Sequence, residues 1–281
     1  MNGNGDMDRN KDMNRNSSQE SNAYVSSLSK ILRVIRHTGK EYTFRMSYEG
    51  EVKPGQFFEV SVPKYGEAPI SVSGIGPGYV DLTIRSVGRV TNEVFEKYEG
   101  ESLLLRGPYG NGFDVRLYEK GETVIIAGGT GVSPVRGVIE ALSLTEDAKD
   151  KHVIVGFKSP EDMLFREDLK NWEQRVRLTL TVDGADEGYT GNIGLVTKYI
   201  PGLPLKDAGT TKAIVVGPPP MMRFSVMGLL QKGFREENIW VSQERKMCCG
   251  LGKCGHCRVG EKYICLDGPV FNYTQSKYIL D

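Results

Sequence analysis

The sequence predicts an antiparallel β-barrel, followed by an α/β domain with a parallel sheet and then a small cysteine-rich C-terminal segment. Between about residues 24 and 115, short segments alternate apolar with polar residues and are punctuated by Gly/Pro turns, the pattern of a barrel. After Arg116 the apolar runs are β-branched and do not alternate, and helical stretches separate them. Fully apolar strands of this kind belong in a parallel sheet covered on both faces. All five cysteines lie between Cys248 and Cys265, and the residues before them contain none.

Residues 1–22 are rich in Asn, Asp, Ser and Arg and read as a solvated tail. The barrel is expected over residues 23–115, with strands at 28–36, 41–48, 56–62, 70–73, 80–86 and 102–106. Breaks fall at Lys53-Pro54-Gly55, at the Gly/Pro run 74–78 and at Gly107-Pro108-Tyr109-Gly110. One helix is expected over 91–98, capped by Thr91 or Asn92. The α/β domain is expected over 116–243. Its strands are read at 123–127, 152–157, 176–182, 212–216 and 238–242, with helices at 132–142, 160–172 and 219–231. Residues 244–281 form the cysteine segment.

Charge and composition exclude several functions. The chain has 281 residues, with 36 Lys+Arg against 36 Asp+Glu, so a dedicated nucleic-acid binder is not expected. No apolar run approaches the roughly 20 residues of a membrane helix, and the N-terminal stretch lacks the apolar core of a signal peptide. The expected location is cytoplasmic, without membrane insertion. Cysteines clustered in one segment, with no sign of export, point to a metal site rather than a disulfide framework.

The cysteines Cys249, Cys254, Cys257 and Cys265 are spaced C-x4-C-x2-C-x7-C. A C-x4-C-x2-C core followed by a fourth cysteine is the plant-type [2Fe-2S] pattern, in which four thiolates serve two irons. Gly250, Gly252 and Gly255 let the backbone wrap closely and aim N–H groups at sulfur. A four-cysteine zinc site is the alternative, but it normally uses paired C-x2-C knuckles, and this segment has one. Cys248 is surplus. His256 reads as a surface residue, because a Rieske centre needs two histidines.

In the α/β domain, Gly128-Gly129-Thr130-Gly131 ends an apolar strand and opens a helix with Pro134 in its first turn. Such a turn admits a pyrophosphate to the backbone and sets it at a helix N-terminus. Gly217-Pro218 ends the fourth apolar strand in the same way, and two such turns at one sheet edge make a ligand crevice. In the barrel, Pro69, Ile70, Ser71 and Val72 form a strand suited to lie against a flat ring. The run from Arg85 through Gly88, Val90 and Thr91 passes from strand to helix start, where N–H groups and arginines can hold phosphates.

These motifs, in this order, resemble the ferredoxin–NADP reductase superfamily over roughly residues 24–243. The phrase Gly156-Phe-Lys-Ser-Pro-Glu-Asp162-Met-Leu164-Phe165 is similar to that family's segment after the second nucleotide-domain strand. The cysteine segment resembles a narrower group: the electron-transfer subunit of dihydroorotate dehydrogenase, the gamma subunit of sulfhydrogenases, and the corresponding iron–sulfur reductase chain of anaerobic sulfite reductase. The ending Tyr263-Ile-Cys265-Leu-Asp-Gly268-Pro269-Val-Phe271 is most similar to the sulfite-reductase members, and the short gap before Cys265 is unlike the dihydroorotate members.

The resemblance implies FAD in the barrel, a nicotinamide nucleotide in the second domain and a [2Fe-2S] cluster in the last. It assigns Ser71 as the neighbour of flavin N5. The family's Arg-x-Tyr-Ser/Thr motif reads Ala68-Pro69-Ile70-Ser71 here, so the pyrophosphate-binding arginine and the stacking tyrosine are missing. Val216 stands where a cysteine usually precedes Gly-Pro. The implied partners are a ferredoxin-like iron–sulfur subunit and a sirohaem catalytic subunit. A hydrogenase complex is the alternative, and a zinc-stabilised nucleotide-binding protein without redox activity the second. Asp183, after the third parallel strand, together with Asp186 and Glu187, favours NADH over NADPH, because carboxylates accept ribose hydroxyls and repel a 2′-phosphate.

Overall fold

The computed structural model describes residues 24–277. The polar tail expected over residues 1–22 lies outside the described residues. Six strands, β1 (Ser27–Arg36), β2 (Glu41–Ser47), β3 (Phe57–Val62), β4 (Gly66–Gly76), β5 (Tyr79–Arg85) and β6 (Ser102–Tyr109), close into an antiparallel barrel in the order β1-β2-β5-β4-β3-β6. Alternation along the strands sends Ile31, Phe44, Phe58, Val60, Leu82 and Leu105 into the barrel core. The expected fourth strand at 70–73 is the middle of the longer β4.

Helix α1 (Arg89–Phe95) begins earlier than expected, with Gly88 as its N-cap. Thr91 is the third helical residue. Its hydroxyl reaches back to accept the backbone N–H of Gly88 (3.0 Å) and of Val87 (3.1 Å), the reciprocal half of a capping box. Thr91 thus does mark the helix start, but from inside the first turn rather than from the cap.

Short α2 (Arg116–Glu119) leads into a seven-stranded sheet of order β10-β9-β8-β7-β11-β12-β15. Besides β15 (Val270–Asn272), its strands are β7 (Thr123–Gly128), β8 (Lys151–Phe157), β9 (Arg177–Val182), β10 (Asn192–Ile193), β11 (Lys212–Val216) and β12 (Ile239–Ser242). These six pair in parallel, and β7 lies where the strand order reverses. Helices α3 (Val132–Leu142) and α4 (Arg166–Arg175) cover one face, and α5 (Pro219–Gln231) the other. Thus Ile125 and Ala127 of β7 pack under α3, and Val124 and Ile126 share a core with Met222, Val226 and Leu229 of α5. Burial on both faces is why these strands are apolar throughout.

The cysteine segment is sewn into this sheet rather than appended to it. After a loop come the hairpin β13 (Arg258–Val259) and β14 (Lys262–Tyr263) and one helical turn, α6 (Ile264–Asp267). Then β15 (Val270–Asn272) pairs antiparallel with β12, and α7 (Tyr273–Ser276) follows. Among the described residues, no helix is long and apolar enough to cross a membrane.

Candidate functional site

The two glycine turns meet at the C-terminal ends of the adjacent strands β7 and β11. A Cβ on Gly131 would stand 2.7 Å from Val216 O and 2.8 Å from Gly217 Cα, so only glycine lets one turn rest on the other. Gly129, at φ +56°, has open space on that side and lines a cavity of about 1160 Å³ with Gly128, Thr130 and Pro218. The amides opening α3 have no side-chain cap, which leaves them available to an anion. Gly131 and Gly217 do not line the cavity but rest on one another, and Pro134 is buried in the first turn of α3.

Across the cavity stand Arg85 and Glu41 of the barrel, paired at 3.0 Å, so the space lies between the two domains. Asp183 also lines it, but so do Lys158 and Lys232. Burial raises the pKa of Asp183, and Lys158 pulls it back. The local sequence around this subsite shows only its acids. Lys158 follows β8, not β9, and the parallel order brings the two strand ends together.

The wall between the domains is fixed by Arg136 of α3. It donates to Ser73 O of β4 (3.0 Å) and to Asp168 (2.8 Å), pairs with Glu140 (2.7 Å), and lies 5.3 Å from the Phe165 ring centre. His37 completes this seam. Its Nδ1 accepts the Phe165 backbone N–H at 3.3 Å, and its Nε2 bonds Thr43 Oγ1 at 2.7 Å. Burial is the main reason that its pKa falls to about 4.

On β4, alternation separates the four predicted ring-facing residues. Val72 is in the barrel core and Ile70 packs against it, whereas Pro69 and Ser71 face outward. The Ser71 hydroxyl makes no hydrogen bond among the described residues, and Ser71 is not part of the cavity wall. Ser71 pairs with Phe57 of β3, which pairs with Tyr109 of β6. In the neighbouring row, Pro69 pairs with Glu59, which pairs with Arg106. Glu59 is fully buried, neither of its oxygens has a hydrogen-bond partner, and burial pushes its carboxyl up to about 7. The Glu59 carboxyl is sealed beneath its neighbours, so the free Ser71 hydroxyl is what this face offers a polar, planar group. At the start of α1, Thr91 spends its hydroxyl on its own helix and Val90 packs toward the barrel core, so Gly88 and Arg85 are what that turn offers a phosphate.

Tyr109 connects this face to the cysteine loop, because a Cβ on Gly250 would strike its ring at 2.7 Å. Gly250 and Gly252 have φ of +70° and +67°, which favours glycine at both bends. The turn aims amides at sulfur. Leu251 N lies 3.3 Å from Cys249 Sγ, Lys253 N 3.5 Å from it, and Gly252 N 3.1 Å from Cys265 Sγ. The thiols gather as two pairs, Cys257 and Cys265 at 3.3 Å, and Cys254 in hydrogen-bonding reach of Cys249. Burial alone would raise the Cys249 thiol, but the amides of Cys254, Leu251 and Lys253 and the Cys254 thiol bring it down to about 6. Burial and the Cys257 thiol push Cys265 up to about 12. Four thiols this crowded ionise together only against bound cations. Among the described residues, no group of three or more His, Cys, Asp or Glu side chains is already arranged around a single metal ion. Cys248 and His256 are exposed.

Comparison with known proteins agrees with this geometry. Residues 125–226 match the oxidoreductase NAD-binding domain family, and residues 244–276 match the iron–sulfur cluster binding domain of dihydroorotate dehydrogenase B. The gamma subunit of sulfhydrogenase 2 from Pyrococcus furiosus is 36% identical over 278 residues, covering 90% of this chain and 96% of that one. The chain belongs to the ferredoxin–NADP reductase superfamily, in its branch of iron–sulfur electron-transfer subunits. A further member of this branch, the probable dihydroorotate dehydrogenase B electron transfer subunit of Thermoplasma volcanium, is 30% identical over 246 residues, covering 88% of this chain and 89% of that one. Among solved structures, the NADH-dependent reduced ferredoxin–NADP oxidoreductase superposes with a TM-score of 0.75 at 26% identity, covering 88% of this chain and 89% of the other.

These relatives correct the finer resemblance drawn from the sequence. They favour the gamma chain of a sulfhydrogenase over a component of sulfite reductase, and the dihydroorotate iron–sulfur family matches despite the short gap before Cys265. The residues that sequence reasoning missed are Lys158, Glu59, Arg106 and Arg136. Each is placed by contacts between segments far apart in the sequence, which no local motif announces.

Proposed function

We propose that this chain is the NADH-oxidising electron-transfer subunit of a multisubunit oxidoreductase, most similar in kind to the gamma subunit of a sulfhydrogenase. The observation that carries the reading is one barrel with two neighbours, the cysteine loop against β6 and the cavity against β2 and β5. The row Ser71–Phe57–Tyr109 spans two strand spacings, roughly 10 Å, and ends against the cysteine loop. The nucleotide cavity opens between the same barrel and the glycine turns.

When bound, a flavin takes up an electron pair as hydride from a nicotinamide and releases it one electron at a time to a cluster. The residues divide that work. Gly128, Gly129, Thr130 and the opening amides of α3 bind the pyrophosphate of the nucleotide. Asp183 accepts the ribose hydroxyls. Arg136 and His37 hold the domains so that the nucleotide faces the barrel. Arg85 and Gly88 would hold the FAD phosphates, Pro69 and Ser71 would bear on the ring, and the free Ser71 hydroxyl would be available to donate to it. Cys249, Cys254, Cys257 and Cys265 hold a [2Fe-2S] cluster, and the exposed side of that loop faces the partner protein. A sulfite reductase with ferredoxin-like and sirohaem subunits is the second reading, favoured by the residues from Tyr263 to Phe271.

Anaerobic purification tests the reading, with a visible spectrum, flavin identification and analysis of iron, sulfide and zinc. Flavin bands together with iron and acid-labile sulfide, both bleached by NADH, are expected. A colourless protein, or zinc in place of iron, contradicts it. Co-purification from the source cell with a nickel–iron or a sirohaem subunit separates the two partner readings.

A further inference from the structure

Arg106, near the end of β6, is a buried cation with every donor engaged. Nη2 donates to Glu67 Oε2 (2.8 Å) and to Cys248 O (3.1 Å). Nη1 donates to Tyr109 OH (2.8 Å) and to Cys249 O, and Nε points to Glu67 Oε1 at 3.4 Å. The side chain is 5% exposed, and Glu67 is held in turn by Ser61 Oγ at 2.6 Å. A guanidinium has five N–H donors in a rigid plane, and all five have acceptors here. Burying such a charge is costly unless it is paired and its donors are satisfied. Glu67 supplies the charge, and two consecutive carbonyls of the cysteine loop supply the remaining acceptors. One of those carbonyls belongs to the first candidate ligand, 143 residues further along the chain.

The placement matters as much as the bonds. Arg106 pairs with Glu59 on β3, the strand that carries Phe57 opposite Ser71. Its Tyr109 partner is the ring on which Gly250 rests. The fork therefore joins the barrel face offered to the ring with the backbone that presents Cys249.

We propose that Arg106 is a positioning residue. Its fork fixes the Cys248–Cys249 backbone on the barrel and so sets how far the cluster loop stands from the Ser71 strand. This rests on the proposed function, in which the loop holds a cluster. Lysine cannot replace it, having three donors on a point charge where four acceptor groups lie in a plane.

The test uses the full-length protein, purified anaerobically, as wild type, Arg106→Lys and Glu67→Gln. Iron and sulfide content, hydrogen exchange of the amides of residues 247–253, the EPR spectrum of the reduced cluster and rapid mixing with NADH are measured on each. Arg106→Lys is expected to keep its iron and to bleach its flavin at the wild-type rate. Its cluster is expected to be reduced on the order of tenfold more slowly, as loosened positioning predicts. Faster exchange of the loop amides and a broadened EPR signal accompany the loss, and Glu67→Gln shows the same changes to a smaller degree. Should Arg106→Lys fail to fold, Glu67→Gln carries the same test. Wild-type cluster reduction and loop protection in both variants, or a loss of flavin bleaching in equal proportion, overturns the proposal. Wild type without iron overturns the cluster reading itself.

Discussion

Cys257 and Cys265 are built into the molecule as core residues, whereas Cys249 and Cys254 are held from outside. The first pair is 3% and 2% exposed and shares an apolar cluster with Ile264, Phe271, Val241 and the α5 face of the sheet. Cys254 is exposed and Cys249 is half-buried, and the Cys249 backbone is tied to the barrel through Arg106. The thiols respond in opposite directions, Cys265 to about 12 and Cys249 to about 6. One pair thus takes its position from hydrophobic packing on the α/β domain, and the other from hydrogen bonds supplied by the loop and the barrel. The candidate cluster site straddles the seam between domains, where an electron carrier serving both must stand.

The largest expected effect breaks the packed half. Cys265→Ser is expected to abolish the cluster and also to lower the stability of the metal-free protein by about 1–3 kcal/mol, because a hydroxyl enters an apolar core. Cys254→Ser is expected to lose or alter the cluster with a stability change within about 0.5 kcal/mol, as is usual at an exposed site. Denaturant melts of the apo forms, with iron analysis of the loaded ones, check the pair. Equal destabilisation by both contradicts the asymmetry. In both variants NADH is expected to bleach the flavin at close to the wild-type rate.

The other interdomain seam is sensitive to acid. His37 is neutral in the fold, with a pKa lowered from 6.5 to about 4, and protonating Nδ1 would set an N–H against the Phe165 N–H. The unfolded chain binds that proton more readily, so this contribution is complete above about pH 6.5 and is lost as pH falls toward 4. For a half-buried group it amounts to about 1–3 kcal/mol. Thermal melts between pH 7 and 4.5 should fall less steeply for His37→Gln than for wild type. Parallel curves would show that His37 does not carry the effect.

What could be read from the sequence follows the range of each interaction. The strand pattern, both glycine turns and the C-x4-C-x2-C-x7-C spacing are contiguous, and each appeared close to its expected place. Glu59 reads as an ordinary outward residue of an alternating strand, and only the fold shows that its face meets the cysteine loop. Arg106 likewise ends what looks like a plain strand, since its acceptors lie more than 140 residues away. Strand β15 has three residues, too few for a periodic signal, yet its pairing with β12 makes the C-terminal segment part of the sheet.

Two smaller effects sharpen the picture of the surfaces on either side of the seam. Asp183 faces the nucleotide cavity with Lys158 beside it, so Asp183→Ser should raise kcat/KM for NADPH relative to NADH by about tenfold, removing repulsion where a cation already waits. Unchanged preference would place the adenosine ribose elsewhere. On the exposed side of the loop, Lys253 lies 5.1 Å from the Tyr24 ring centre, Arg258 Nε donates to Gly260 O, and Lys262 pairs with Asp267 at 3.7 Å. These cations are already partly engaged. Raising ionic strength, or reversing charge at Lys253 and Arg258, should therefore slow electron delivery to the partner only about two- to threefold, leaving flavin reduction unchanged. No response to either would move the docking face away from this rim.

The most direct test of the central claim is freeze-quench EPR of the wild-type protein mixed anaerobically with NADH, with flavin absorbance followed in parallel. The account predicts that the reduced-cluster signal rises as the flavin bleaches, and that Cys265→Ser bleaches without any such signal. A flavin that bleaches while a cluster reducible by dithionite stays oxidised would contradict it.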